Sequence, residues 1–166
     1  MTEKKSPDLF PDSEAISESF DGAPGQKISL SGILPGQIIR SMIESGEVWS
    51  QGTIEEEQIQ PASLDLRLSD IAYRIRASFL PSEGSVKEKL TELALHKIDI
   101  SDGAVLETGC VYLVPLMEAL SLPERITAIS NPKSSTGRVD VFTRLICDGR
   151  HEFDKVPGGY KGHLWL

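Results

Sequence analysis

Between Lys97 and Leu166 the chain is cut into short β-type runs, and no fold built on long helices can be made from that pattern. The runs are Lys97–Ile100, Val105–Glu107, Val111–Pro115, Ala119–Ser121, Ile126–Ile129, Val141–Cys147 and Leu164–Leu166. Turn signals separate them at Gly103, Gly109, Pro115, Pro123, Pro132 and Pro157-Gly158-Gly159. Many short strands at close spacing predict a mainly β domain of the barrel or jelly-roll class with little helix. Upstream, Ser63-Leu64-Asp65-Leu66-Arg67-Leu68 alternates polar and apolar without a break, as a half-buried strand does, and Ile71-Ala72-Tyr73-Arg74-Ile75 can continue it.

Two segments carry a helical period instead. Ile38, Ile39, Met42 and Ile43 recur at helix spacing, with Pro35 suited to the first turn and Gly46 where a C-terminal cap belongs. Residues 82–96, with Val86, Leu90, Leu93 and Leu95 among Glu and Lys, predict a short helical insertion. Residues 1–27 mix Pro, Ser, Asp, Glu and Gly with no sustained period and read as a flexible tail, so one domain is expected over residues 28–166.

The bulk properties narrow the function classes. A chain of 166 residues suffices for one domain with a real core. Its apolar runs fall well short of the roughly 20 residues that span a bilayer, and the N-terminus lacks the apolar core of a signal peptide, so a cytoplasmic location away from membranes is expected. A net charge of -8 argues against a general affinity for nucleic acid. The charge is uneven, however. Residues 131–166 hold six basic side chains (Lys133, Arg138, Arg144, Arg150, Lys155, Lys161) against four acidic ones. Cys110 and Cys147 have neither CxxC partners nor zinc-ligand spacing and read as two buried, reduced thiols; no metal site and no zinc are expected.

That basic end contains Asn131-Pro132-Lys133-Ser134-Ser135-Thr136-Gly137-Arg138, in which a turn, a lysine, three hydroxyls, a glycine and an arginine fall within eight residues. Such groups can hold anionic oxygens, although a surface loop ahead of a strand reads the same way. Two more polar segments stand out, Gln60-Pro61-Ala62-Ser63-Leu64-Asp65-Leu66-Arg67 and Phe153-Asp154-Lys155-Val156-Pro157-Gly158-Gly159-Tyr160-Lys161-Gly162. Each has a plain structural reading: Asp65 and Arg67 as a solvated strand face, Asp154 as a turn residue, Tyr160 as core.

Taken in order, the three segments resemble the dCTP deaminases of the dUTPase-like superfamily. The resemblance runs from about Gly32 to Leu166 and includes the first helix with Glu44-Ser45-Gly46, the Pro61–Leu68 segment, Val105-Leu106-Glu107-Thr108-Gly109, Ser121-Leu122-Pro123-Glu124, Lys133–Arg138, Phe153-Asp154 and Gly159-Tyr160-Lys161-Gly162. It implies a dUTPase-like distorted barrel or jelly roll that deaminates dCTP to dUTP and ammonia through a glutamate-activated water, without zinc. That agrees with the missing H-x-E and P-C-x-x-C signature of the zinc deaminases.

By the same resemblance Ser134 bonds the attacking water and the base edge, while Arg138 holds the catalytic carboxylate and balances developing charge. Lys133 and Ser135 face the triphosphate, Lys133 standing where the family usually has an Arg and so lacking the bidentate fork. Phe153 and Asp154 match the pair that packs on the deoxyribose and accepts its 3′-hydroxyl. Tyr160 matches an aromatic at the nucleoside pocket, and His151 falls near a family histidine after a shifted alignment. Magnesium is expected on the substrate triphosphate. The implied partners are dCTP and dUTP, dTTP as an inhibitor, and a homotrimer or a tandem-domain pseudo-oligomer.

One departure bears on activity. The family's glutamate lies five residues past the last glycine of the Gly-Tyr-x-Gly turn, which places it directly after Leu166. A fragment of a longer protein is therefore expected, with unpaired strand edges, poor solubility or dependence on partner subunits, and no turnover; losing a general base costs about 10²–10⁴ in rate. The tail, the insertion and Cys147-Asp148-Gly149 are similar to a longer form of the family with two domains in tandem. Two rivals stay open. A dUTP diphosphatase, alone or combined with the deaminase, would want an Asp-x-Asp-Tyr-Arg-Gly-like third motif, which Asp154-Lys155-Val156-Pro157 fits poorly. A non-catalytic nucleotide-binding or trimer-scaffold domain is the other.

Overall fold

The structure is a computed structural model that describes residues 32–166; the expected N-terminal tail lies outside the described residues. Helix α1 (Gly36–Glu44) starts where Pro35, with φ -74° and ψ 161°, serves as N-cap and offers its carbonyl to Ile38 and Ile39. It stops because Gly46 takes φ +79°, letting Gly46 N–H reach the Ile43 carbonyl and Glu47 N–H the Met42 carbonyl. Met42 is buried, and Ile38 and Ile43 lean on the same core.

That core sits against a three-stranded antiparallel sheet with β7 (Pro115–Ser121) in its centre, flanked by β1 (Val48–Ser50) and β10 (Lys161–Trp165). Register pairs Val48 with Leu120 and His163 with Ala119. β7 begins at Pro115, well ahead of the Ala119–Ser121 run that the sequence suggests. Leu116, Glu118, Ala119 and Leu120 are all buried, so a strand covered on both faces shows no alternation to read. Pro115 stands at its first residue, where a missing N–H is tolerated.

A second three-stranded sheet has β4 (Ile71–Ile75) between β5 (Ala94–Asp99) and β6 (Val111–Leu113). Helix α2 (Val86–Leu93) closes it, burying Val86 and Leu90 with Ile75, Leu113, Ile146 and Trp165. Its start is a reciprocal cap in which Ser85 Oγ accepts from Glu88 N–H and the Glu88 carboxylate accepts from Ser85 N–H. The helix ends three residues earlier than its apolar period suggests, because Ala94 and His96 are drawn into pairing with Ile75 and Arg74.

Two-residue pairs complete the framework: β2 (Ile59–Gln60) with β3 (Ser63–Leu64), and β8 (Ala128–Ile129) with β9 (Lys155–Val156). A one-turn helix, α3 (Ser134–Gly137), follows β8. The architecture is mainly β with an N-terminal helix and a helical insertion, as expected, but the sheets do not close into a barrel among the described residues. No helix among them is long and apolar enough to cross a membrane.

Several local expectations are corrected. The Ser63–Leu68 alternation does not make one strand, because after Leu64 the backbone bonds irregular partners: Asp65 N–H to the Gln58 carbonyl and Arg67 N–H to the Glu118 carboxylate. Val105–Glu107 is exposed loop, and Val141–Cys147 contributes only the Ile146 bridge, since Leu145 N–H is taken by the Asp154 side chain. Cys147 is buried, but Cys110 is half-exposed beside Arg74. The last residues are also not an open edge. Trp165 exchanges two hydrogen bonds with Ile146, and Leu166 two with Val114.

Candidate functional site

The structure brings the three polar segments together by two connections. The β8–β9 pair joins the chain entering the Lys133–Arg138 segment to the chain leaving Asp154, and Ser130 N–H donates to the Asp154 carbonyl at the neck. The second connection is an ion pair from Lys133 Nζ to Asp65 Oδ2, 2.5 Å long, across 68 residues of sequence.

Lys133 is the N-cap of α3 and uses its carbonyl for Thr136 and Gly137, which leaves its side chain free to reach Asp65. Ser134, Ser135 and Arg138 are exposed, and Arg138 has no salt bridge among the described residues. Immediately after them Val139, Val141 and Phe142 are exposed as well, Phe142 at 90%. The loop is thus an open surface with cationic and hydroxyl groups next to an apolar strip.

Asp154 is held in the left-handed region, φ +63°, a conformation that short polar side chains tolerate best. Local hydrogen bonds fix it there: Oδ1 accepts from Leu145 N–H at 2.8 Å, and Asp154 N–H donates back to the Leu145 carbonyl. Oδ2 pairs with Arg144 Nε at 2.8 Å. The Arg144 guanidinium also lies over the Phe153 ring, 5.2 Å from its centroid. Arg144 therefore touches both members of the expected sugar pair, a role nothing in the sequence pattern singled out. Its only signal is membership of the basic group in residues 131–166.

Tyr160 is buried, donating to the His163 carbonyl at 2.6 Å, and burial pushes its phenol well above the usual tyrosine range. It packs in the first core with Val156 and Leu164. His151 is exposed on the turn before Phe153. The glycines around Tyr160 hold the third segment in place. A Cβ on Gly158 would lie 2.0 Å from the Glu124 carbonyl oxygen, so only glycine fits that approach.

Beneath Asp65 lies a buried polar group that the sequence did not reveal. Glu118, on the central strand β7, is 0% exposed. Its Oε1 accepts from Gln58 Nε2 at 3.0 Å and Arg67 Nε at 2.9 Å, and its Oε2 accepts from Arg67 N–H at 2.8 Å. Gln58 also grips Asp65 through both backbone groups, giving Nε2 to the Asp65 carbonyl and its own carbonyl to Asp65 N–H, each at 2.8 Å. Arg67 is thus an internal tie, not the solvated face its alternation suggests. Its Nη2 extends the network to Ser50 Oγ and the Thr53 carbonyl.

Residues 30–166 match the family model described as the 2'-deoxycytidine 5'-triphosphate deaminase N-terminal domain. Among curated proteins, a "dCTP deaminase, dUMP-forming" of Parafrankia sp. is 31% identical over 137 residues, covering 81% of this chain and 63% of the relative. Another of the same name from Beutenbergia cavernae is 28% identical over 135 residues, covering 81% of this chain and 66% of its own length. A crystal structure of 2'-deoxycytidine 5'-triphosphate deaminase from Agrobacterium tumefaciens superposes with a TM-score of 0.78 at 54% identity, covering 81% of this chain and 40% of that one. The chain therefore spans about two thirds of these curated relatives and less than half of the solved chain. The β architecture is the dUTPase-like fold expected from the sequence. With the matched residues covering most of its length, the chain belongs to the 2'-deoxycytidine 5'-triphosphate deaminase family and carries that family's N-terminal domain.

Proposed function

We propose that this domain binds dCTP and serves its zinc-independent hydrolytic deamination at cytosine C4. The observation that carries the reading is the placement of the exposed Lys133-Ser134-Ser135…Arg138 surface at the same neck as Asp154, set by the β8–β9 pair. In this arrangement Lys133 and Ser135 meet the phosphates, and Ser134 holds the attacking water against the base. Arg138, free of an internal partner among the described residues, orients the general base. Phe153 and Asp154 receive the deoxyribose once Arg144 yields or shares Asp154. A hydroxyl at 2′ would crowd the ring, which favours deoxy over ribo sugar.

Among the described residues no three His, Cys, Asp or Glu side chains converge on a metal-binding point. A magnesium ion would therefore be held chiefly by the triphosphate, with at most one or two carboxylates, its usual setting. It would neutralise phosphate charge as the substrate binds. The apolar strip Val139, Val141 and Phe142 beside the site favours an assembly in which a neighbouring subunit or domain covers it, a homotrimer in the simplest case.

The product is proposed as dUTP. A bifunctional reaction that continues to dUMP is the second reading, favoured by relatives named as dUMP-forming. The test has two parts. Calorimetry should show dCTP binding by this chain, weakened in Lys133→Met but largely kept in Arg138→Met. The same domain continued past Leu166 with a glutamate as the next residue should release ammonia. Phosphorus NMR then separates dUTP from dUMP plus pyrophosphate. Absence of ammonia from that longer form refutes the deaminase reading.

A further inference from the structure

We infer that Asp65 is an internal competitor of the nucleotide phosphates, a fixed carboxylate that occupies Lys133 and is exchanged for phosphate when ligand binds. The inference rests on the reading of Lys133 as a phosphate contact and adds how that contact is regulated.

The two partners are held very differently. Lys133 stands on an exposed loop with its side chain 63% exposed, whereas the Asp65 side chain is 27% exposed. The backbone of Asp65 is clamped by Gln58 on both its N–H and its carbonyl, and Gln58 is fixed in turn by the fully buried Glu118. Two residues on, Arg67 is tied to the same carboxylate by main chain and side chain. Asp65 also receives a weak bond from Gln60 Nε2, at 3.4 Å. The carboxylate is therefore positioned in advance, and the lysine comes to it.

A carboxylate so placed has two effects on a polyphosphate. It occupies one of the ammonium donors that phosphate would use, and it repels the incoming charge. Because the pair is partly exposed, its strength lies in the range of surface ion pairs, up to about 1 kcal/mol, or roughly fivefold in affinity. Lysine suits this exchange. Its ammonium is a rotatable point charge on a flexible stem and can swing from carboxylate to phosphate, whereas an Arg fork would bind the carboxylate bidentately and release it less readily.

Binding of inorganic tripolyphosphate and of dCTP is measured calorimetrically without magnesium for wild type, Asp65→Asn, Lys133→Met and the double variant. Near-ultraviolet circular dichroism checks the fold, and Asp65→Ser replaces the Asn variant if that one does not fold. Asp65→Asn is expected to bind both ligands three- to fivefold more tightly, and to give no gain when Lys133 is already Met. Equal or weaker binding by Asp65→Asn overturns the inference, as does a gain of the same size in the Lys133→Met background. A repeat with magnesium covers the alternative that Asp65 ligates the ion: a loss of magnesium-dependent affinity in Asp65→Asn would also overturn it. If wild type binds and Lys133→Met weakens it while Asp65→Asn has no effect, the competitor role alone fails. If no form binds either ligand, the phosphate site fails with it.

Discussion

Replacing Arg67 with Met tests whether the buried group under the first segment holds the domain together. Glu118 is 0% exposed and receives three hydrogen bonds, two of them from Arg67. The Met side chain fills similar space but removes the positive charge and the Nε donor, leaving a buried carboxylate with Gln58 Nε2 and one backbone N–H. Stranding one member of a buried ion pair costs about 3–5 kcal/mol. Arg67 keeps 30% of its side chain exposed, so water reaches the vacated side in part and the expected loss is near the lower end, about 3 kcal/mol. That is a large share of the roughly 5–15 kcal/mol that stabilises a domain. Replacing both partners, Arg67→Met with Glu118→Met, removes the stranded charge and should return the protein to within about 1–2 kcal/mol of wild type. Urea unfolding at pH 7, followed by Trp fluorescence, measures both, with an unchanged slope confirming that the midpoint shift is a stability change. A loss below about 1 kcal/mol in the single variant, or a double variant worse than the single, would refute the account.

Two further outcomes follow from the packing. Gly158→Ala places a methyl 2.0 Å from the Glu124 carbonyl oxygen, so the turn must shift, and a loss of about 1–3 kcal/mol is expected by thermal or urea unfolding. The Cys147 thiol is pushed up to about 11 by burial, which outweighs the opposing charge of Arg150. Its folded pKa lies above its unfolded one, so its contribution is constant below about pH 9 and falls by roughly 1.4 kcal/mol per pH unit from there to about pH 11. Comparing the pH dependence of wild type with that of Cys147→Ala isolates this slope, and a thiol reagent at pH 8 should label Cys110 in the native protein but Cys147 only after unfolding.

The sequence showed those parts of the domain in which one local signal decides the structure. The Ile38–Met42 period and the Pro157-Gly158-Gly159 turn each specify their element within a few residues, and each is found in place. What it hid depends on distant partners. Arg67 alternates like a surface residue because its partner Glu118 lies 51 residues away, and Glu118 looks like an interruption in an apolar strand until Gln58 and Arg67 surround it. The site behaves likewise. The residue types of the Lys133–Arg138 and Phe153–Asp154 segments are plain in the sequence, but that Lys133 answers to Asp65 and that Arg144 caps both Phe153 and Asp154 can be seen only in three dimensions.

The two-residue pairing of β8 with β9 has a consequence for how this domain tolerates change. The pairs Ala128–Val156 and Ile129–Lys155, with the Ser130 to Asp154 bond above them, form a knot through which every residue from 131 to 153 must leave and return. Length added or lost at the exposed tip, around Val139 to Phe142, is absorbed there, at a chain-closure cost that grows only slowly with loop size. A single residue inserted inside the knot would turn Val156 out of the core and rotate Asp154 away from Leu145 in one step. Variation in relatives and in designed libraries should therefore concentrate at the tip and stop at Ser130 on one side and at the buried Leu145–Cys147 return on the other. The spacing between the loop's two ends is then inherited as one unit together with that return, whatever sequence lies at the tip.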